Sequence, residues 1–277
     1  MNRLIRVMRA AGVRFSRDGC AFLAQGLAYN AIFAMIPLAL LAIAGLGFLY
    51  GSQEAQDRFL STVDDFAPAL HDLLADNLKS AVATRGISGV IALVVLVWSG
   101  KNLFQGLAYA LNRALGVPQG RPIVHDIVAS IVMLPVVGVL LMVSTMLPPL
   151  VTFATNWLGI RWAAFAQVAS FGASVLLVFV IAAILYVFLP NRVVPWTFGI
   201  PGAIFTAVTY EIAQIAFTVY TEHANFFHIY GAISTVVAFL LWFYLIGVLF
   251  LYGAEICAVW YEQRRPAHAA DAATNVA

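Results

Sequence analysis

Apolar residues gather along the chain in six long blocks, approximately 24–50, 87–110, 127–150, 164–189, 200–220 and 230–261, with shorter polar segments between them. Each block exceeds the ~20 residues that a helix needs to cross a hydrocarbon core of ~30 Å. Hydrocarbon offers no partners to backbone N–H and C=O groups, so a spanning segment must be a helix or a strand of a closed barrel. The ~10-residue alternation of a barrel strand is absent. The pattern therefore predicts an all-α membrane protein with six transmembrane helices.

One polar segment carries a pattern of its own. Between 51 and 86, apolar residues recur at Phe59, Val63, Phe66, Leu70, Leu73, Leu74 and Leu78, in steps of three and four that trace one helical face. Asp57, Asp64, Asp65, Asp72 and Asp76 fall on the other side, and Pro68 is placed to split the segment. This reads as an amphipathic helical hairpin between the first and second spans, resting on the membrane or the bundle in preference to forming a lid.

Basic residues set the orientation. With the amino terminus inside, the inner segments hold Arg3, Arg6, Arg9, Arg14, Arg17, Arg113, Arg121, Arg192, Arg264 and Arg265, while the outer ones hold Arg58, Lys79, Arg85 and Arg161. That imbalance places both termini in the cytoplasm and the hairpin on the outer side. The expected layout is a basic cytoplasmic segment at 1–23, a six-span domain at 24–262 and a disordered cytoplasmic tail at 263–277. The first apolar block is too long for a signal peptide and reads as a retained helix.

Composition agrees with the pattern. The 277 residues are 62% hydrophobic and only 10% charged, against about 25% charged in soluble domains. A net charge of +2 gives no reason to expect a nucleic-acid partner. Cys20 and Cys257 fall on the cytoplasmic side of this topology, where thiols stay reduced, and read as small buried hydrophobes.

Ionisable groups inside spans cost a few kcal/mol at a helix centre and usually face a bundle interior or water. Glu211 lies near the middle of the fifth span, with Gln214 and Thr218 at i+3 and i+7 on the same face. This stripe is the leading candidate for a cavity or ligand site. Glu255, late in the sixth span, is expected to pair with a basic residue such as Arg192. Lys101 in the second span can extend its stem toward the inner head groups. Asn30 and Pro37, with three prolines in the third span, loosen backbone hydrogen bonding. No catalytic, metal-binding or nucleotide motif is present, so no metal, cofactor or catalytic residue is expected.

Several motifs resemble those of the YihY/BrkB family of bacterial inner-membrane proteins. Leu27-Ala28-Tyr29 with Ile36-Pro37-Leu38, and Trp98-Ser99 with Ala110-Leu111-Asn112-Arg113 and Gly116-Val117, are similar to its first half. Trp196, Pro201-Gly202-Ala203, Tyr220, Tyr230-Gly231-Ala232, Leu241-Trp242-Phe243-Tyr244-Leu245 and Gly253-Ala254-Glu255 are similar to its last two spans. The likeness covers about residues 15–262, with Lys101 and Leu115 departing from the pattern. It implies a six-span inner-membrane protein and supplies no catalytic residue. Family members have been linked variously to tRNA processing, serum resistance and lipid export.

Transport or lipid handling, with membrane lipids as partners, ranks first among the functions these features allow. A scaffold presenting the outer hairpin to envelope proteins ranks second. A ribonuclease ranks last, because the short inner loops hold no acid–base constellation. The sequence does not specify an oligomeric state.

Overall fold

A computed structural model of the chain describes residues 3–49, 85–117, 127–140, 163–191, 195–223 and 234–274. These residues form seven helices and no strand: α1 (Arg3–Arg17), α2 (Cys20–Leu49), α3 (Arg85–Ala114), α4 (Ile127–Leu140), α5 (Ala163–Phe188), α6 (Trp196–His223) and α7 (Ser234–Thr274). Within α5, α6 and α7, the stretches Phe171–Phe188, Trp196–Thr221 and Val236–Gln263 are long and apolar enough to cross a bilayer. They match the fourth, fifth and sixth expected spans. The expected outer hairpin lies outside the described residues, apart from Arg85 and Gly86, which open α3. The last helix continues to Thr274, across a segment where the sequence predicts disorder. Five alanines between Pro266 and Thr274 give that stretch a strong local helix preference.

The chain divides into two compact units. The larger comprises Met1–Tyr29 and Phe104–Ala277. There α5 and α6 are separated by only a few residues of sequence and pack against each other, as antiparallel neighbours do. Helix α6 also packs along α7, and α1 lies against α7. Helices α6 and α7 meet closely where Gly202 faces Gly253. A methyl group on Gly202 would overlap the carbonyl of Gly253 and the Cys257 sulfur, and one on Gly253 would overlap the Thr206 and Tyr186 hydroxyls. With little hydrophobic drive between helices in lipid, such small-residue crossings let backbones approach and gain dispersion contacts.

A buried hydroxyl network fastens the same crossing. Tyr186 of α5 has no exposed surface. Its hydroxyl donates to the Phe250 carbonyl of α7 at 2.6 Å. The phenol has one proton, so the Thr206 hydroxyl of α6, 2.7 Å away, is the donor in their mutual bond. One tyrosine thus ties three helices together.

Helix α3 ends in a glycine cap. Gly116 takes the left-handed conformation, φ 64°. Its N–H reaches the Arg113 carbonyl at 3.2 Å, and the Val117 N–H reaches that of Asn112 at 2.8 Å. This is the paired bonding of a Schellman cap, which satisfies carbonyls a helix end would leave orphaned. The buried Asn112 side chain accepts the Asn191 N–H at 2.8 Å, tying the residues just past α5 to the end of α3.

The smaller unit spans Asn30–Leu103. Its described parts are the later turns of α2, which contain Pro37, and the earlier turns of α3. Val90, Ile91, Val94 and Trp98 of α3 are exposed, an apolar surface suited to lipid. Ser99 is buried, and its hydroxyl donates to the Leu96 carbonyl at 3.2 Å.

Candidate functional site

Two polar centres stand out in the larger unit. The first is Glu211, only 7% exposed and the one charged residue in the stretch Trp196–Thr221 of α6. Ser174 lies fourteen residues before the end of α5 and Glu211 fifteen after the start of α6. At 1.5 Å per residue Ser174 sits about 21 Å from the end of α5 and Glu211 about 23 Å from the start of α6. The Ser174 hydroxyl accordingly donates to Glu211 Oε1 at 2.5 Å. Trp242 of α7 stacks near Tyr210 and Phe217, with ring centroids 5.7 and 4.9 Å away, and gives this part of α6 an aromatic wall.

Gln214 and Thr218 do not join Glu211 in a buried cleft. Both are exposed, and the Thr218 hydroxyl donates to the Gln214 carbonyl of its own helix at 3.0 Å. From Ile212 to Tyr220 every residue of α6 is exposed or half-buried, so burial ends just past Glu211. Asn30 and Lys101 are both half-buried in the smaller unit.

The second centre surrounds Glu255 on α7. Its carboxylate is fully buried; Oε2 receives the Arg14 Nε–H at 2.9 Å, and Oε1 faces the Cys20 thiol at 3.4 Å. The partner is therefore Arg14 on α1; Arg192 lies outside the described residues. Arg14 also bonds Glu262 and reaches the Ala114 carbonyl at the end of α3, 3.4 Å away. Cations are favoured at helix C-termini, so this last contact adds to the attraction. Burial opposes the guanidinium charge, but hydrogen bonds to Glu262 and Glu255 outweigh it and raise the arginine above its ordinary value. The charge is thus secure at every working pH. One arginine links α1, α3 and α7.

Outside this knot, α1 presents a cationic surface. A groove of about 880 Å³ runs between α1 and α7, lined by Arg6, Arg9, Arg14 and Arg17 with a single carboxylate, Glu262. On the other flank of α1 a smaller apolar groove, about 280 Å³, lies between Val7, Phe205, Val208 and Ile256. The opposed faces follow from the helical period: arginines recur on one side, while Val7 and Ala11 pack on Ile256 and Val259. Cys20 and Cys257 are both buried and free. Among the described residues no three His, Cys, Asp or Glu side chains gather where they could hold a metal ion.

Comparison with known proteins gives this architecture a family. The family model described as virulence factor BrkB matches residues 11–276. The ribonuclease-like protein YfkH of Bacillus subtilis (strain 168) is 24% identical over 257 residues, covering 86% of this chain and 89% of its own. A UPF0761 membrane protein of Coxiella burnetii (strain Dugway 5J108-111) is 28% identical over 258 residues, or 89% of this chain and 90% of that one. A UPF0761 membrane protein of Alcanivorax borkumensis is 26% identical over 266 residues, 91% of this chain but 60% of that longer one. No solved structure matches the chain. With the family model running along nearly all of its length and its helices apolar enough to cross a bilayer, the chain belongs to the BrkB family and is a membrane protein.

Proposed function

We propose that this protein is a six-span protein of the bacterial inner membrane, both termini cytoplasmic, which transports a substrate or handles lipid through a site centred on Glu211. The observation that carries the reading is the Glu211–Ser174 pair. A carboxyl group near the middle of an apolar helix costs several kcal/mol unless it serves or is well paired, and it marks a functional site by default. One serine hydroxyl meets one of its oxygens, and among the described residues no hydrogen bond is seen to the other, which would engage a substrate group. The excess of arginines in the segments assigned to the inner side supports the orientation. The apolar groove beside α1 supports lipid as the class of substrate.

The test is native mass spectrometry of wild-type protein and Glu211→Gln, each purified in mild detergent. The expected result is a particular lipid retained by the wild type and lost from the variant. Equal amounts of bulk lipid on both proteins would remove Glu211 from the site and the lipid reading with it.

A further inference from the structure

We propose that the groove between α1 and α7 is a binding site for the phosphate-bearing head group of an anionic phospholipid, held chiefly by Arg6 and Arg9. The proposal rests on the inner-face placement of α1 given above and extends the lipid reading to a second locus, away from Glu211.

The four arginines of the groove differ in what they are free to do. Arg14 is committed to Glu255, Glu262 and the Ala114 carbonyl, with its side chain only 12% exposed. Arg17 shares its guanidinium with Asp18, 3.2 Å away. Arg6 and Arg9 are exposed and, among the described residues, make no ion pair. They stand one helical turn apart on the same face, with Cβ atoms about 5–6 Å apart. That spacing lets two forked guanidiniums converge on the oxygens of one phosphodiester. Arg17 lies two further turns along and adds charge at the end of the groove.

Charge alone would accept any phosphate, and the other flank of α1 decides for lipid. There Ile204 and Val208 of α6 are about half exposed beside Val7, Ile256 and Trp260, in a groove shaped for a hydrocarbon chain. A helix with a cationic groove on one side and an apolar groove on the other has the build of an interfacial segment, which gains from both head-group attraction and acyl contact.

The test uses the full chain in neutral detergent, with occupancy read by native mass spectrometry as phosphatidylglycerol is added. Phosphatidylcholine and inorganic phosphate serve as controls. Basic residues near an anionic surface contribute about fivefold each, so Arg6→Gln with Arg9→Gln is expected to weaken phosphatidylglycerol binding about 25-fold. Both side chains are exposed, so the fold should survive their loss. Glu262→Gln, which removes the one carboxylate, is expected to tighten binding about two- to fivefold, a gain that no folding defect can mimic. Unchanged binding in the double variant overturns the proposal. Inorganic phosphate binding as tightly as the lipid overturns it in favour of a soluble anion. Arginine-dependent capture of a single-stranded oligoribonucleotide, without phosphatidylglycerol binding, overturns it in favour of a nucleic-acid surface. Glu211 is intact in the arginine and Glu262 variants, so loss of lipid in Glu211→Gln alone sinks the groove and spares the central site, while loss in the arginine variant alone does the reverse.

Discussion

Replacing Arg14 by methionine keeps an aliphatic stem over α7 and removes the guanidinium that faces Glu255. The Glu255 side chain has no exposed surface, so water cannot take over. Oε2 would lose its donor, and Oε1 would keep only the Cys20 thiol at 3.4 Å, a weak one. Removing one partner of a buried ion pair costs about 3–5 kcal/mol. The bond to Glu262 adds little, because that side chain is 63% exposed and exposed pairs are worth about 1 kcal/mol or less. Arg14→Met should therefore destabilise by about 3–5 kcal/mol, roughly two to three and a half decades in the unfolding constant. Glu262→Gln should cost under about 1 kcal/mol. Arg14→Met combined with Glu255→Met should recover most of the loss, since apolar replacement of a whole buried pair is near neutral. Reversible unfolding by sodium dodecyl sulfate in mixed micelles, followed by tryptophan fluorescence, measures all three. If Arg14→Met proves no worse than Glu262→Gln, or if the double variant is as weak as the single one, Glu255 is not sealed from water and the reasoning fails.

Other substitutions probe the crossing and the cap by the same assay. Tyr186→Phe removes the three-helix hydroxyl and should cost about 1–2 kcal/mol, near the upper range for bonds between membrane helices; adding Thr206→Val should then cost little more. Gly253→Ala drives a methyl into the Tyr186 and Thr206 hydroxyls and should cost about 1–3 kcal/mol. Gly172→Ala meets nothing within 4 Å and should be neutral or stabilising by about 0.5–1 kcal/mol; equal losses at the two glycines would contradict the close approach. Gly116→Ala forces a side chain into the left-handed region and should cost about 1–2 kcal/mol, with no loss expected at Gly138.

The helical class and the positions of α5, α6 and α7 were legible because twenty apolar residues in a row admit few other structures. Glu211 and Glu255 stood out for the same reason, each a carboxylate where solvation is costly. Their partners did not. Ser174 is one of many hydroxyls that apolar helices tolerate, and Arg14 is one of five amino-terminal arginines with equal claims by sequence. Gln214 and Thr218 show a different limit. Periodicity reports direction around a helix, but burial also varies along it, and no residue of α6 from Ile212 to Tyr220 is fully buried. The motifs shared with the family gain physical content here: Pro201-Gly202-Ala203 and Gly253-Ala254-Glu255 face one another at the α6–α7 crossing, and Asn112 through Val117 builds the cap of α3. Sequence order could not reveal that two of these motifs touch.

Arg14 and Glu255 are 241 residues apart, and this distance becomes a delay when the chain is made. At about 5–20 residues per second, Glu255 leaves the ribosome roughly 12–48 s after Arg14. Until then Arg14 has neither Glu255 nor Glu262 to pair with. The ion pair is then the closing latch of biogenesis. A chain cut short before Glu255 would leave α1 without the part of α7 that Val7, Ala11 and Arg14 pack against.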